Sequence, residues 1–452
     1  MAQTVRPGLN CGAMTRGGFP WDMLRLTSDN RHMTPRNSAT TDHVLKCRFC
    51  GHDVRHVFLD LGMSPLCEAY VSAEQLHQME PFYPLCAYVC AHCFLVQLEE
   101  FVTPGGIFSE YAYFSSYADS WVEHARAYCE LMCARFGIGR HSRIIEIASN
   151  DGYLLQHFAA RGVPVLGVEP AANVARVAVS RGIPSVVKFF GKLTAAELAS
   201  EYGKPDLLLG NNVLAHVPDL NDFVAGMKLL LSENGLITME FPHLLELMQQ
   251  NQFDTIYHEH FSYFSFMTVS EVFRHHGLTL FDVERLPTHG GSLRIYARHT
   301  EDGSRPVSAR TYDLIALEER SGLRNLATYA GFAEQAREIK RTLLEFLIAA
   351  RRAGQRVAGY GAPGKGNTLL NYCGIRTDFL DFTVDRNPYK QGKYTPGTRI
   401  PILPPEELSR ARPDYILILP WNLREEIVAT LRKIPGVKAR FVVPIPKVEI
   451  LE

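Results

Sequence analysis

Strand-length apolar runs alternate with helix-length segments through the middle of this chain. RIIEIA (Arg143 to Ala148), PVLGVEP (Pro164 to Pro170), DLLLGNNVL (Asp206 to Leu214) and GLITMEFP (Gly235 to Pro242) are continuous rather than alternating. Such runs predict strands buried on both faces of a parallel sheet with helices on either side. Two later runs, LTLFDVERL and GSLRIYARH, are joined by only a short link bearing Pro and Gly. They predict an antiparallel hairpin, because a parallel crossover needs a longer connection. Residues 309–352 predict a polar helical connector with Leu343, Phe346 and Leu347 at helical spacing. A second α/β unit follows, with runs RVAGYGAPGKGNTLL, LDFTVD, YILILP and RFVVPIP. Before the central pattern, Pro65, Pro81 and Pro84 break any long helix within a cysteine-bearing module. Residues 1–43 carry no sustained period and are expected to be a disordered extension.

The expected division is therefore residues 1–43, a cysteine-bearing module at 44–103, a central α/β domain at 104–308, and a helical connector with a C-terminal α/β domain at 309–452. Five parallel strands closed by a hairpin match the Rossmann-like sheet of class I methyltransferases. A nicotinamide dehydrogenase would end on a parallel strand.

Composition narrows the partners. The chain has 452 residues, 46% of them apolar, and a formal net charge of −1. Nothing in that balance points to nucleic acid. No stretch reaches the roughly 20 apolar residues of a membrane span, and no secretory signal is visible, so a cytoplasmic protein without a membrane partner is expected. The ten cysteines argue for metal or buried thiols rather than a disulfide scaffold. Cys47 and Cys50 form one CxxC knuckle and Cys90 and Cys93 a second. Four thiolates at that spacing close a tetrahedral shell, so one structural zinc is expected, with four buried thiols as the bland alternative. Cys67, Cys86, Cys129, Cys133 and Cys373 read as core or surface thiols.

The first strand ends at Glu146 and runs through Ala148, Ser149, Asn150, Asp151 and Gly152 into a helix. Small residues there let a ligand approach the backbone, but the three spaced glycines of a dinucleotide fingerprint are missing. Glu169, at the end of the second strand, can accept hydrogen bonds from two ribose hydroxyls. Together these features favour S-adenosylmethionine. Asn211 and Asn212 end the fourth strand, where ligands sit in open α/β sheets, and His216 would face the adjoining cleft.

YHEHF (Tyr257 to Phe261) falls on the same edge. The two histidines are too close for the HExxH zinc motif, which disfavours zinc catalysis. In an extended or turn conformation, alternation predicts His258 and His260 on one side and Tyr257, Glu259 and Phe261 on the other. A histidine steered by a carboxylate is a common base, and a packing cluster is the alternative. In the last unit, Gly361, Lys365, Asn367 and Thr368 surround a Gly-rich turn into a helix, a place suited to a diphosphate. Asp385 and Lys390 at the next strand end extend it into a second nucleotide pocket, unless the turn is purely structural.

Taken in order, the paired CxxC knuckles, YFSSYADSWVEHA, EIASNDGYLL, NNVLAHV, YHEHFSYFS, HGGSLR and GYGAPGKGNTLLNY resemble the zinc-containing sugar C-methyltransferases of deoxysugar and antibiotic biosynthesis. The resemblance covers nearly all of residues 44–452, and it implies a zinc-binding domain at 44–103, an S-adenosylmethionine-dependent methyltransferase domain at 104–308, and a connector with a nucleotide-sugar-binding domain at 309–452. It implies methylation of carbon 3 of a nucleotide-linked 4-keto-6-deoxy sugar, with dTDP the expected nucleotide, through an enolate formed by a base. It also implies that Tyr111, His216, Tyr257, Glu259 and His260 surround the sugar and that His260 is the base. Methylation at another carbon such as C5, a nucleotide-sugar epimerase or dehydrogenase, and a nonenzymatic zinc scaffold are the competing readings. A monomer or small homo-oligomer is expected.

Overall fold

Continuous apolar runs in the middle of the chain become the central strands of a seven-stranded sheet. The computed structural model describes residues 44–108, 114–117 and 119–451; Tyr111 and the expected extension at 1–43 lie outside the described residues. In chain order the strands are β1 (His56–Ser64), β2 (Tyr83–Val89), β3 (Val96–Leu98), β4 (Ile144–Ile147), β5 (Val165–Val168) and β6 (Ser185–Val186). They continue with β7 (Leu207–Asn211), β8 (Leu236–Pro242), β9 (Ser262–Tyr263), β10 (Leu278–Leu286) and β11 (Ser292–His299). The last are β12 (Val357–Tyr360), β13 (Thr383–Val384), β14 (Ile402–Leu403), β15 (Tyr415–Ile418), β16 (Arg440–Val443) and β17 (Glu449–Leu451).

The central sheet has the order β10-β11-β8-β7-β4-β5-β6. β4 to β8 pair in parallel, and β11 pairs antiparallel with both β8 and β10. This is the class I methyltransferase layout of five parallel strands and a terminal hairpin. Every residue of β4 and β7 is buried, as the lack of alternation requires. Beyond the connector, β14-β13-β12-β15-β16-β17 form a second sheet, parallel except for β17. The connector's long helix, Phe332–Arg352, buries Phe332, Ala336, Ile339, Leu343, Leu347 and Ala350, one stripe at helical spacing.

The smallest sheet matters most for the site. Its order is β1-β2-β3-β9, so a strand from the segment following YHEHF completes the sheet begun by the cysteine module. Val96 and Gln97 pair with Tyr263 and Ser262, and Leu98 N–H donates to the Phe261 carbonyl at 3.0 Å. On the far side, Phe264 bridges to His243 just after β8. The segment is thereby held between two sheets. The core is correspondingly shared: Phe58 and Leu85 of the N-terminal sheet pack in one cluster with Leu343, Ile416 and Val442, and Cys47 and Leu95 in another with Ile145 and Phe241.

Candidate functional site

Each cysteine knuckle is a tight turn. Gly51, with φ +74°, donates to the Cys47 carbonyl at 2.9 Å, and Phe94, with φ +59°, donates to the Cys90 carbonyl at 3.0 Å. The turns bring Cys47 Sγ to 3.5 Å from Cys93 Sγ and Cys50 Sγ to 3.5 Å from Cys90 Sγ. All four sulfurs lie within 4.8 Å of one another. Four soft donors converging with no protein group between them fit zinc, and a closed thiolate shell leaves it a structural role. The cluster is coupled to the site: Arg48 donates to the Pro218 carbonyl at 2.6 Å and to the Leu98 carbonyl at 2.5 Å, fixing the loop that follows His216.

A cavity of about 560 Å³ opens at the carboxyl ends of the central strands. Ala148, Asn150, Glu169, Asn211 and Asn212 line one end. Ala148 and Asn150 are left-handed, at φ +56° and +49°, so the loop makes a glycine-like turn without glycine. Glu169 holds it there, its two oxygens accepting from the Asn150 and Ala171 backbone N–H groups, both at 2.9 Å. Each oxygen keeps a lone pair free. The Asn211 amide is buried with neither its nitrogen nor its oxygen bonded, a donor and acceptor awaiting a polar ligand. Phe189 and Phe190 add an apolar wall that sequence reasoning missed; they follow the two-residue β6, too short to register as a strand. This end fits S-adenosylmethionine.

Three expected donor residues do not line the cavity. Glu146 is fully buried beneath it, its carboxyl pushed well above the ordinary range by burial and by Glu169 and Asp151. Asp151 Oδ2 accepts from Arg181, at 3.0 Å, and from Ser116, while its Oδ1 is buried without a hydrogen-bond partner. Gly152 is needed for packing rather than ligand approach: it has φ +78°, and an added Cβ would stand 3.0 Å from Ile183 Cγ1.

His216, Tyr257, Glu259 and His260 line the other part of the same cavity. The alternation expected for YHEHF is overturned, because the segment closes a turn in which His260 N–H donates to the Tyr257 carbonyl at 2.9 Å. Tyr257 and His260 therefore meet on one side, with ring centroids 4.1 Å apart and planes tilted by 33°. His258 leaves the site, its Nε2 donating to the Pro84 carbonyl at 3.1 Å. His260 Nδ1 lies 3.0 Å from the Thr255 carbonyl. A carbonyl only accepts, so Nδ1 carries the proton and Nε2 the lone pair. Burial, the His216 ring 4.6 Å away, and the more distant His289 and Lys365 hold the His260 imidazole well below its ordinary pKa. Burial lowers His216 to about 4 and keeps the Tyr257 phenol protonated. The result is a neutral base beside two neutral groups. Cys67, read as an ordinary thiol, instead donates to Glu259 Oε1 at 3.5 Å and lines the cavity. His289, within the HGGSLR motif, lines it too and meets Asn212 Nδ2 at 3.0 Å.

Of the expected substrate residues, Lys365 and Lys390 line this same cavity. The others are absorbed locally, which corrects the expectation of a separate Gly-rich anion pocket. Asn367 Nδ2 donates to the Cys67 carbonyl at 2.6 Å and Thr368 Oγ1 to the Gly364 carbonyl at 3.4 Å. Asp385 accepts from the Ala362 and Asn387 backbones at 2.7 and 2.8 Å. Gly361, φ +84°, abuts Pro420.

Three family models match the chain. They are described as "Putative zinc binding domain" at residues 47–108, methyltransferase domain at 121–283, and C-methyltransferase C-terminal domain at 287–446. C-methyltransferase NovU of Streptomyces niveus is 36% identical over 406 residues, covering 90% of this chain and 96% of NovU. Ubiquinone biosynthesis O-methyltransferase of Bartonella quintana (strain Toulouse) is 30% identical over 96 residues, 21% of this chain and 39% of that protein. Among solved structures, magnesium protoporphyrin IX methyltransferase from Synechocystis PCC 6803 is 13% identical, covering 39% of this chain and 78% of that one with a TM-score of 0.30. No helix among the described residues is long and apolar enough to cross a membrane.

Proposed function

This chain belongs to the C-methyltransferase family as an S-adenosylmethionine-dependent, zinc-binding enzyme, and from that premise we propose that it methylates carbon 3 of a nucleotide-linked 4-keto-6-deoxy sugar, with dTDP as the nucleotide. The observation that carries this reading is the neutral His260, proton fixed on Nδ1 and Nε2 left basic, in one cavity with Tyr257, His216, Glu259 and Lys365.

A carbon next to a ketone becomes acidic because its charge spreads onto oxygen. His260 Nε2 takes that proton. Tyr257, held protonated by burial, donates to the enolate oxygen, with His216 as the second candidate donor. Glu259 lies beside them and offsets the charge of the imidazolium. Lys365 and Lys390 supply positive charge for the diphosphate. Glu169, Asn150 and Asn211 hold the methyl donor, which when bound supplies an electrophilic methyl group. Tyr111 belongs to the proposed site by resemblance. The enzyme works in the cytoplasm on a soluble nucleotide sugar.

Exchange of the carbon-3 proton for deuterium, run with S-adenosylhomocysteine, isolates proton removal. His260→Ala is expected to lower exchange by about two to four powers of ten while both substrates still bind. Exchange at the wild-type rate in that variant removes His260 as the base. Because His260 is neutral well below its ordinary pKa, wild-type exchange should persist as pH falls through 6.5 and decline only below it. An acid limb centred at 6.5 contradicts the desolvated base.

A further inference from the structure

The wall between the catalytic turn and the two lysines comes from the cysteine-bearing lobe. The β1–β2 connection passes Cys67 and Glu68 into the cavity and is fixed to loops and a helix of the C-terminal α/β unit. The Cys67 carbonyl accepts from Asn367 Nδ2 at 2.6 Å, Tyr70 Oη donates to the Ala362 carbonyl at 2.5 Å, and Val71 and Tyr394 exchange backbone bonds at 3.0 and 2.8 Å. Gly364 exists for this approach: an added Cβ would stand 2.9 Å from Cys67 Sγ and 3.1 Å from Glu68 Oε1. The dipeptide is thus held rigidly where it touches the site.

Glu68 is left incomplete by its surroundings. Its Oε2 is buried without a hydrogen-bond partner. Its nearest cation is Lys390 Nζ at 3.4 Å, whose own hydrogen bond goes to the Ala362 carbonyl at 2.9 Å. The neighbouring Tyr70 phenol, its pKa raised by burial and then by the Glu68 carboxylate beside it, gives its hydrogen to the Ala362 carbonyl. A desolvated acceptor without a donor is costly, and a ligand that brings one recovers that cost. Cys67, next in the chain, touches Glu259 in the catalytic turn, and Lys390 stands on the other side, so the vacancy lies between the catalytic turn and the diphosphate lysines, within reach of the sugar. The donor that fits is uncharged, since an ammonium would lie beside Lys390.

We propose that Glu68 is a specificity residue that accepts a hydrogen bond from a hydroxyl of the sugar. The inference rests on the nucleotide-sugar reading above. It makes the zinc-bearing lobe part of the substrate pocket.

The test measures KM and kcat for the nucleotide keto sugar, and the Kd of S-adenosylhomocysteine, in wild type and in Glu68→Gln and Glu68→Asp. Glu68→Gln should raise KM about ten-fold or more, with kcat and the S-adenosylhomocysteine Kd within about two-fold. Glu68→Asp keeps the charge but shortens the reach, and should show an intermediate loss. A series of sugars each lacking one hydroxyl identifies the partner: one of them should lose as much with wild type and nothing further with Glu68→Gln. If Glu68 only neutralises Lys390, its removal frees that ammonium for the diphosphate and KM falls, which overturns the proposal. So does an unchanged KM, or a rise that no deoxy sugar abolishes. A wild-type enzyme that methylates no keto sugar defeats the nucleotide-sugar reading itself, which separates the two failures.

Discussion

Two loops occupy the same topological position in the two parallel sheets. Each follows a buried strand and opens a helix: residues 148–152 after β4, and residues 361–367 after β12. The second is rich in glycine and the first has one. The structure reverses what that difference predicts. The glycine-poor loop bends through left-handed Ala148 and Asn150 and lines the cavity with them. The glycine-rich loop uses its glycines against protein: Gly361 against Pro420, Gly364 against Cys67 and Glu68, Gly366 against Leu419. Glycine in a strand–loop–helix turn marks a close approach of something, and in this chain that something is mostly another part of the chain.

The largest expected effect tests this directly. Gly361 has φ +84°, and a Cβ would stand 2.5 Å from Pro420 Cγ. Gly361→Ala should therefore lose about 2–4 kcal/mol of stability to strain and overpacking together, read by denaturant unfolding, with S-adenosylhomocysteine affinity unchanged in whatever remains folded. Full stability with lost nucleotide-sugar affinity would restore the ligand reading of the loop.

On the other loop the effect should fall on a ligand. Glu169→Ala removes the acceptor of the Asn150 and Ala171 amides and of the proposed ribose contact, and should weaken S-adenosylhomocysteine by about 1–3 kcal/mol in calorimetry. Unchanged affinity places the ribose elsewhere. The mirror experiment is Lys365→Met. Lys365 Nζ bonds Asn422 Oδ1 at 2.7 Å and lies over the Trp421 ring, 4.6 Å from its centroid. Burial lowers its pKa to about 8, with Asp254 acting the other way. Lys365→Met should lose about 1–2 kcal/mol of nucleotide-sugar affinity and nothing for S-adenosylhomocysteine. The ammonium is charged below its pKa, so wild-type sugar affinity should fall as pH rises through about 8. A pH-independent affinity would take Lys365 out of the site.

Strand-scale patterning made the class I sheet readable, because four buried parallel strands require apolar runs and the terminal hairpin requires a short link; the fifth, β6, has only two half-buried residues and left no run. The four zinc cysteines were readable for the same local reason: their spacing is their geometry. His260, Tyr257 and Glu259 were identified as a cluster, but their mutual placement was not. Alternation fails where the segment closes a turn between two sheets, and pairing of Val96 with Tyr263 is a long-range fact with no local signal. Cys67 and Glu68 were invisible as site residues because they reach the cavity by a connection that crosses to the C-terminal α/β unit. Asn367 and Thr368 read as ligand groups because their polar atoms showed and their partners, the Cys67 and Gly364 carbonyls, did not.

The smallest effect concerns Ala148, which occupies the place where a dinucleotide fingerprint carries its first glycine. Its φ of +56° costs an alanine about 1–2 kcal/mol relative to the right-handed region, and glycine would escape that cost. Glycine also gains more freedom in the unfolded chain, which removes roughly 0.5–1 kcal/mol of the benefit. The Ala148 methyl is partly buried against the core below β4, and deleting it takes back up to about 0.8 kcal/mol more. The terms nearly cancel. Ala148→Gly should therefore change stability by less than about 1 kcal/mol and leave S-adenosylhomocysteine affinity unchanged, because the turn it must make is already made. A gain well above that figure would mean that the loop stores strain held in place by Glu169, and the gain should then shrink in Glu169→Ala. A clear loss would mean that the methyl packs the floor of the donor site, and that this loop, like its glycine-rich counterpart, is shaped first by the protein around it.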